Sequence, residues 1–128
     1  MASTDDQSIT DLAYVFDLLS VPTRLRLVFL LAKGESNVTS LCEALNLPQP
    51  SVSHHLMVLR INHLVAGTRT GKQVVYSLAE NVKYSGGKIK IVLPSAMVTI
   101  EEAGGRKKSP ENKKSRGSPS GGSLFDVS

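Results

Sequence analysis

The chain has 128 residues, 41% of them apolar, with no Trp and few aromatics, which suits one small domain with a core of mostly Leu, Val and Ile. No apolar run approaches the ~20 residues of a membrane span. The acidic start Met-Ala-Ser-Thr-Asp-Asp does not read as a secretory signal, and a lone Cys42 makes no internal disulfide, so a reducing cytoplasm is expected. The net charge of +4 is uneven: residues 1–102 hold nine basic and nine acidic side chains, whereas residues 103–128 hold six basic and two acidic ones.

In chain order, residues 5–19 read as an amphipathic helix with Ile9, Leu12, Phe16 and Leu19 as its stripe and Ala13 and Val15 alongside. Ser20 is the expected cap, or the turn before one, and Pro22 suits a first helical turn. A second helix then runs from about Pro22 to Lys33, burying Leu25, Val28, Phe29 and Leu31, with Lys33-Gly34 as its stop. Thr39 or Ser40 caps a short third helix, Leu41 to Leu45, and Asn46-Leu47-Pro48 makes a turn. The helix Gln49–Asn62 follows.

That fourth helix is the most informative segment. Val52, Leu56 and Leu59 recur at i, i+4 and i+7 and share one face. At about 100° per residue, His54 falls nearly opposite that face with Ser51 beside it. A buried stripe behind short donors and acceptors (Gln49, Ser51, Ser53 and His54) suits a helix that enters a DNA major groove. Solvated His and capping Ser are common on any helix, so the flanking segments decide.

After Leu64 the period changes from 3.6 to 2. Leu64–Arg69 reads as a strand, Thr70-Gly71 as a turn, and Lys72–Leu78 as the returning strand, with Val74, Tyr76 and Leu78 on one face. Arg69 and Lys72 sit at the hairpin tip. Residues 79–87 read as a loop, and residues 88–100 as one or two strands broken at Pro94. From Ala103 on, Gly, Ser, Pro and Lys dominate; this tail should be disordered, and its six cations could each neutralise a phosphate. The expected division is therefore a domain over 1–102 and a tail over 103–128. Between residues 44 and 100 the only acid is Glu80, against Arg60, Arg69, Lys72, Lys83, Lys88 and Lys90, so the half with the fourth helix is the basic half.

Helices, a helix-turn-helix and a β-hairpin make a winged helix-turn-helix, an α+β fold that is mainly α. At Ser20–Leu27, Gln49-Pro50-Ser51-Val52-Ser53-His54-His55-Leu56, Leu59-Arg60 and Leu64-Val65 the chain resembles the ArsR/SmtB family of small bacterial repressors, over roughly residues 9–78. The resemblance implies a homodimer that represses transcription from an inverted repeat in double-stranded DNA until an inducer releases it. It implies DNA contacts at Gln49, Ser51, Ser53 and His54. Arg60, Arg69 and Lys72 complete the expected set.

The chain departs from the family's pattern in three places. Asn37 and Thr39 stand where many members carry a Cys-Val-Cys metal motif, and Cys42 falls past it, so no metal site is expected there. Nothing after Leu78 has the period of the family's long C-terminal helix, which leaves the dimer surface to the first helix and the strands of 88–100. Pro48 stands where a capping Ser is usual. No glycine-rich phosphate loop and no metal spacing suggests an enzyme or a cofactor, and adjacent His54 and His55 point about 100° apart. The alternative is a winged helix used as a protein-interaction module, for which Val58 and Ile61 on the outer side of the fourth helix speak.

Overall fold

Three prolines set the frame of the helical half. Pro22 opens one helix and Pro48-Gln49-Pro50 opens another, each where a missing N–H costs little. The computed structural model describes residues 2–103. The elements in order are α1 (Ala2–Leu18), α2 (Pro22–Ala32), β1 (Ser36–Asn37), α3 (Val38–Leu45), α4 (Gln49–Ile61), β2 (Val65–Thr70), β3 (Gln73–Leu78), β4 (Val82–Ser85), β5 (Lys88–Val92) and β6 (Met97–Glu101). The tail over 104–128 lies outside the described residues.

α3, the turn Asn46-Leu47-Pro48 and α4 form the expected helix-turn-helix, and the β2–β3 hairpin is its wing. Both helices end in Schellman motifs. Asn46 (φ 57) and His63 (φ 62) take the left-handed position, with Leu47 N–H donating to the Cys42 carbonyl (3.2 Å) and Leu64 N–H to that of Leu59 (2.9 Å). Asn and His are among the residues that tolerate this conformation. The wing turn falls one residue later than predicted, at Gly71-Lys72, with Gly71 at φ 65 as a type II′ turn requires.

α2 starts at Pro22 as predicted, and Ser20 stands in the turn before its cap: Val21 occupies the cap and offers no side-chain bond, while the Ser20 hydroxyl donates to the Asp17 carbonyl. α3 starts earlier than predicted, and its cap is Asn37, whose Oδ1 accepts from Ser40 N–H at 2.8 Å. The same amide donates through Nδ2 to Gln73 Oε1 (3.1 Å), tying the start of α3 to the wing. Backbone pairing of Ser36 with Tyr76 and Asn37 with Val75 reinforces the tie, giving a sheet of order β1-β3-β2.

α1 buries half of the predicted stripe. Leu19 is buried and Leu12 half-buried, with Val15 and Leu18 buried beside them, whereas Ile9 is 64% and Phe16 58% exposed. The helix is apolar on two adjacent sides, and among the described residues the chain covers only the Leu12–Val15–Leu19 side. In α2, Val28 and Leu31 are buried as expected with fully buried Leu27, while Leu25 and Phe29 are half-buried.

Beyond Leu78 the chain builds a second antiparallel sheet of order β4-β5-β6. The predicted strands of 88–100 are β5 and β6, broken around Pro94. The predicted loop of 79–87 is corrected: it contains β4, and Gly86 (φ 59) with Gly87 (φ 78) forms a two-residue turn into β5. The inner face, Val82, Ile89, Ile91 and Val98, joins the same buried cluster as the helices. The β5–β6 loop is pinned to α1: Ser8 Oγ donates to the Ser95 carbonyl (2.7 Å), and Ser95 Oγ donates to Asp11 Oδ2 (3.0 Å).

Asn37→Ala should cost about 1 kcal/mol of stability by removing the cap, within the ~0.5–2 kcal/mol seen for such changes. A urea midpoint unchanged from wild type would mean that the cap is taken over by another group.

Candidate nucleic-acid interface

The inner face of α4 fixes what its outer face presents. Val52, Leu56 and Leu59 are fully buried. His54 and Arg60 are exposed on the other side, Gln49 is exposed at the N-terminus, and Ser51 and Ser53 are half-buried. Pro48 contributes no side-chain cap. Its carbonyl accepts from Ser51 N–H (3.1 Å) and Val52 N–H (3.2 Å). Polar side chains and the positive end of the helix dipole thus stand together at the start of α4.

The wing supplies the second part of the surface. Arg69 and Lys72 are both exposed, at the register pair Arg69–Val74 and in the turn itself. Gly67 lies in β2 opposite Tyr76, where an added Cβ would stand 3.1 Å from the tyrosine ring and 3.2 Å from Val74 Cγ1. A side chain there would have to displace that ring or the Val74 side chain. The structure thus brings Gln49, Ser51, Ser53 and His54 together on one helix and Arg69 with Lys72 on the adjoining hairpin; Arg60 lies at the far end of α4.

Sequence reasoning missed the contacts that hold α4 in place. Arg24 of α2 donates from Nε to His55 Nδ1 at 3.3 Å and from Nη1 to the Leu18 carbonyl at 3.2 Å, joining α1, α2 and α4. At the other end of α4, Tyr14 Oη donates to Asn62 Oδ1, and Asn62 Nδ2 donates to the Val58 carbonyl (2.8 Å). These pairs lie 31 and 48 residues apart in sequence, and no local pattern announces them.

The environment of His55 moves its titration. Burial, then the Arg24 guanidinium, then neighbouring His54 lower its pKa below the ordinary 6.5. The neutral ring can accept from Arg24; the imidazolium cannot. The rings of His54 and His55 meet edge to face at 5.4 Å. Among the described residues no group of three or more His, Cys, Asp and Glu is placed to hold a metal ion. Cys42 is half-buried against the core.

The comparisons with known proteins converge on this segment. The family described as "Bacterial regulatory protein, arsR family" matches residues 21–66, which run from the start of α2 into β2. The transcriptional regulator NmtR of Mycobacterium tuberculosis is 42% identical over 77 residues, 60% of this chain and 64% of that protein. The transcriptional repressor SdpR of Bacillus subtilis is 35% identical over 68 residues, 53% of this chain and 76% of that protein. Among solved structures, the transcriptional repressor BigR from Xylella fastidiosa superposes with a TM-score of 0.59 and 34% identity, covering 62% of this chain and 79% of that one. The homodimeric winged helix-turn-helix DNA-binding domain of Mb0332 from Mycobacterium bovis gives 0.53 and 28%, covering 59% and 69%. The chain spans about half to two thirds of the length of the first curated relatives it matches.

Acidification should destabilise the fold through His55. Its folded-state pKa is lowered, so the unfolded chain takes up the proton first. The contribution is complete above the ordinary 6.5 and is lost as pH falls below it towards the folded value. The urea midpoint should be lower at about pH 5.5 than at about pH 7.5, and His55→Gln should shrink that difference. An equal difference in the two proteins would remove His55 from the account.

Proposed function

Because this chain belongs to the arsR family of bacterial regulatory proteins, we propose that it is a homodimeric transcriptional repressor that binds an inverted repeat in double-stranded DNA. The observation that carries the reading is α4: a helix locked by three fully buried side chains, presenting Gln49, Ser51, Ser53 and His54 beside a cationic hairpin tip. In the major groove those four side chains meet base edges and phosphates, while Arg69 and Lys72 hold the flanking backbone and Arg60 adds a cation at the end of α4. The reading involves no catalytic step and no cofactor, and it places the protein in the cytoplasm. Among the described residues no helix is long and apolar enough to cross a membrane.

The dimer reading rests on α1. Ile9, Ala13 and Phe16 lie on one side of that helix, all exposed, next to the side that packs inward. A second copy covers this strip in the proposed assembly, as the homodimeric Mb0332 domain invites. Phe16→Glu places a charge in that strip and should convert the dimer to a monomer at micromolar concentration, as read by sedimentation, with the helix content by circular dichroism unchanged and a melt that no longer depends on protein concentration. A variant that sediments like wild type moves the dimer surface elsewhere.

Exposed Met57 and Ile61, on the outer side of α4 with half-buried Val58 between them, favour the second reading, a protein-interaction module. Selection of sheared genomic DNA at about 0.15 M salt, where phosphate-only binding is weakened, separates the two. A repressor enriches a few fragments that share an inverted repeat; a module for proteins enriches none. On the enriched sequence, Ser51→Ala or His54→Ala should reduce discrimination against random DNA by ~1–3 kcal/mol. Arg69→Ala or Lys72→Ala should weaken specific and random DNA about equally. Four variants with one common effect would refute the division of labour.

A further inference from the structure

The second sheet has an outer face that the reading above leaves unused. β5 alternates strictly: Ile89 and Ile91 are fully buried, and Lys88 and Lys90 point out. Register places Lys83 of β4 directly opposite Lys90, with Thr99 of β6 on the other side of it. The next outward row is Ser85, Lys88 and Glu101. Lys83, Lys88 and Lys90 are all exposed, and with Ser85, Gly86 and Thr99 they line one shallow depression.

Two lysines facing each other across paired strands repel, and the pairing is destabilising unless an anion lies between them. Cross-strand neighbours stand ~5 Å apart at Cβ. Lys88 and Lys90, two residues apart on β5, stand ~6.6 Å apart. These spacings are of the order of the separation between successive phosphates on one nucleic-acid strand. Lysine ammonium groups bind phosphate as point charges without reading sequence, and Ser and Thr hydroxyls commonly join them. The single acid in these two rows is Glu101, opposite Lys88.

The sheet adjoins the ends of two helices. Ile100 to Ala103 line one groove with Ala44 and Leu45 at the end of α3, and the Gly86-Gly87 turn lines another with Phe29 and Lys33 at the end of α2. α3 leads through three residues into α4, so the sheet flanks the helix-turn-helix itself. We propose that the outer face of β4–β6 is a second phosphate site, which grips the backbone of double-stranded DNA beside the stretch held by α4 and the wing. The site rests on the DNA-binding reading above and extends the contact beyond residues 21–66, the span of the family match.

The test is a salt titration of the full chain on a random-sequence duplex of about 40 base pairs, close to four helical turns, followed by fluorescence anisotropy. The triple variant Lys83→Gln, Lys88→Gln, Lys90→Gln should flatten the plot of log affinity against log salt by ~0.9 for each lysine that meets a phosphate, up to ~2.7 in all. Glu101→Gln should act in the opposite direction and tighten binding severalfold, which keeps the test open should the triple variant melt early. The wing variant Lys72→Ala runs alongside as a contact already assigned. A wild-type chain and wing variant that behave as expected, with the triple variant on the wild-type slope and Glu101→Gln at wild-type affinity, would overturn the sheet site alone. A wild-type chain that does not bind the duplex overturns the DNA reading and this site with it.

Discussion

Everything this protein presents to the outside is set by how α4 is buried. Val52, Leu56 and Leu59 are fully excluded from water, and burying each such side chain is worth ~1.5–3 kcal/mol. A rotation of α4 by one residue would carry Ser53 towards the core and bring Val52 out. The polar set at Gln49, Ser51, Ser53 and His54 therefore faces solvent because the core admits only one orientation. Arg24 and Tyr14 refine that orientation from the two ends, through His55 and Asn62. The wing inherits it through Asn37, which caps α3 and holds Gln73 with the same amide.

The second sheet is the feature that sets this chain apart from the pattern it resembles. Where that pattern closes the domain with a helix, this chain uses three short strands whose inner side chains complete the common core. Among the described residues, α1 keeps an apolar side, with Ile9 and Phe16, that the sheet does not cover. The substitution creates a new surface, the outward side of β4–β6, with a charge character of its own. Replacing one terminal element thus adds a surface and leaves α4 as it was.

The parts of the fold legible in the sequence are those with local causes. The stripe of α4, the Asn46-Leu47-Pro48 turn and the wing hairpin follow from period, proline and glycine within a few residues. The sequence does not single out the cap of α3, because Asn37, Thr39 and Ser40 are all good capping types and only geometry chooses among them. Half of the stripe of α1, Leu12 and Leu19, follows from its period; Ile9 and Phe16 do not, because two of its sides are apolar and periodicity alone does not say which one meets the core. β4 is not legible because Val-Lys-Tyr-Ser has a single buried apolar residue. The Gly86-Gly87 pair ahead of an alternating run was the hairpin signal that could have found it. The Arg24–His55 and Tyr14–Asn62 contacts had no sequence signal at all. The candidate site was legible as a list of side chains; how it is held was not.

The order of the strands bears on how the chain reaches this state. β2 pairs with β3, β4 with β5 and β5 with β6, each with its neighbour in sequence, and only the two-residue β1 reaches across to β3. Almost all sheet formation therefore closes short loops, which keeps the entropy of closure small and favours rapid folding. Because α1 to β3 precede β4 to β6 along the chain, the helix-turn-helix and its wing leave the ribosome before the second sheet exists. The inner residues of that sheet, Val82, Ile89, Ile91 and Val98, can therefore join the common core only after α1 to β3 have been made.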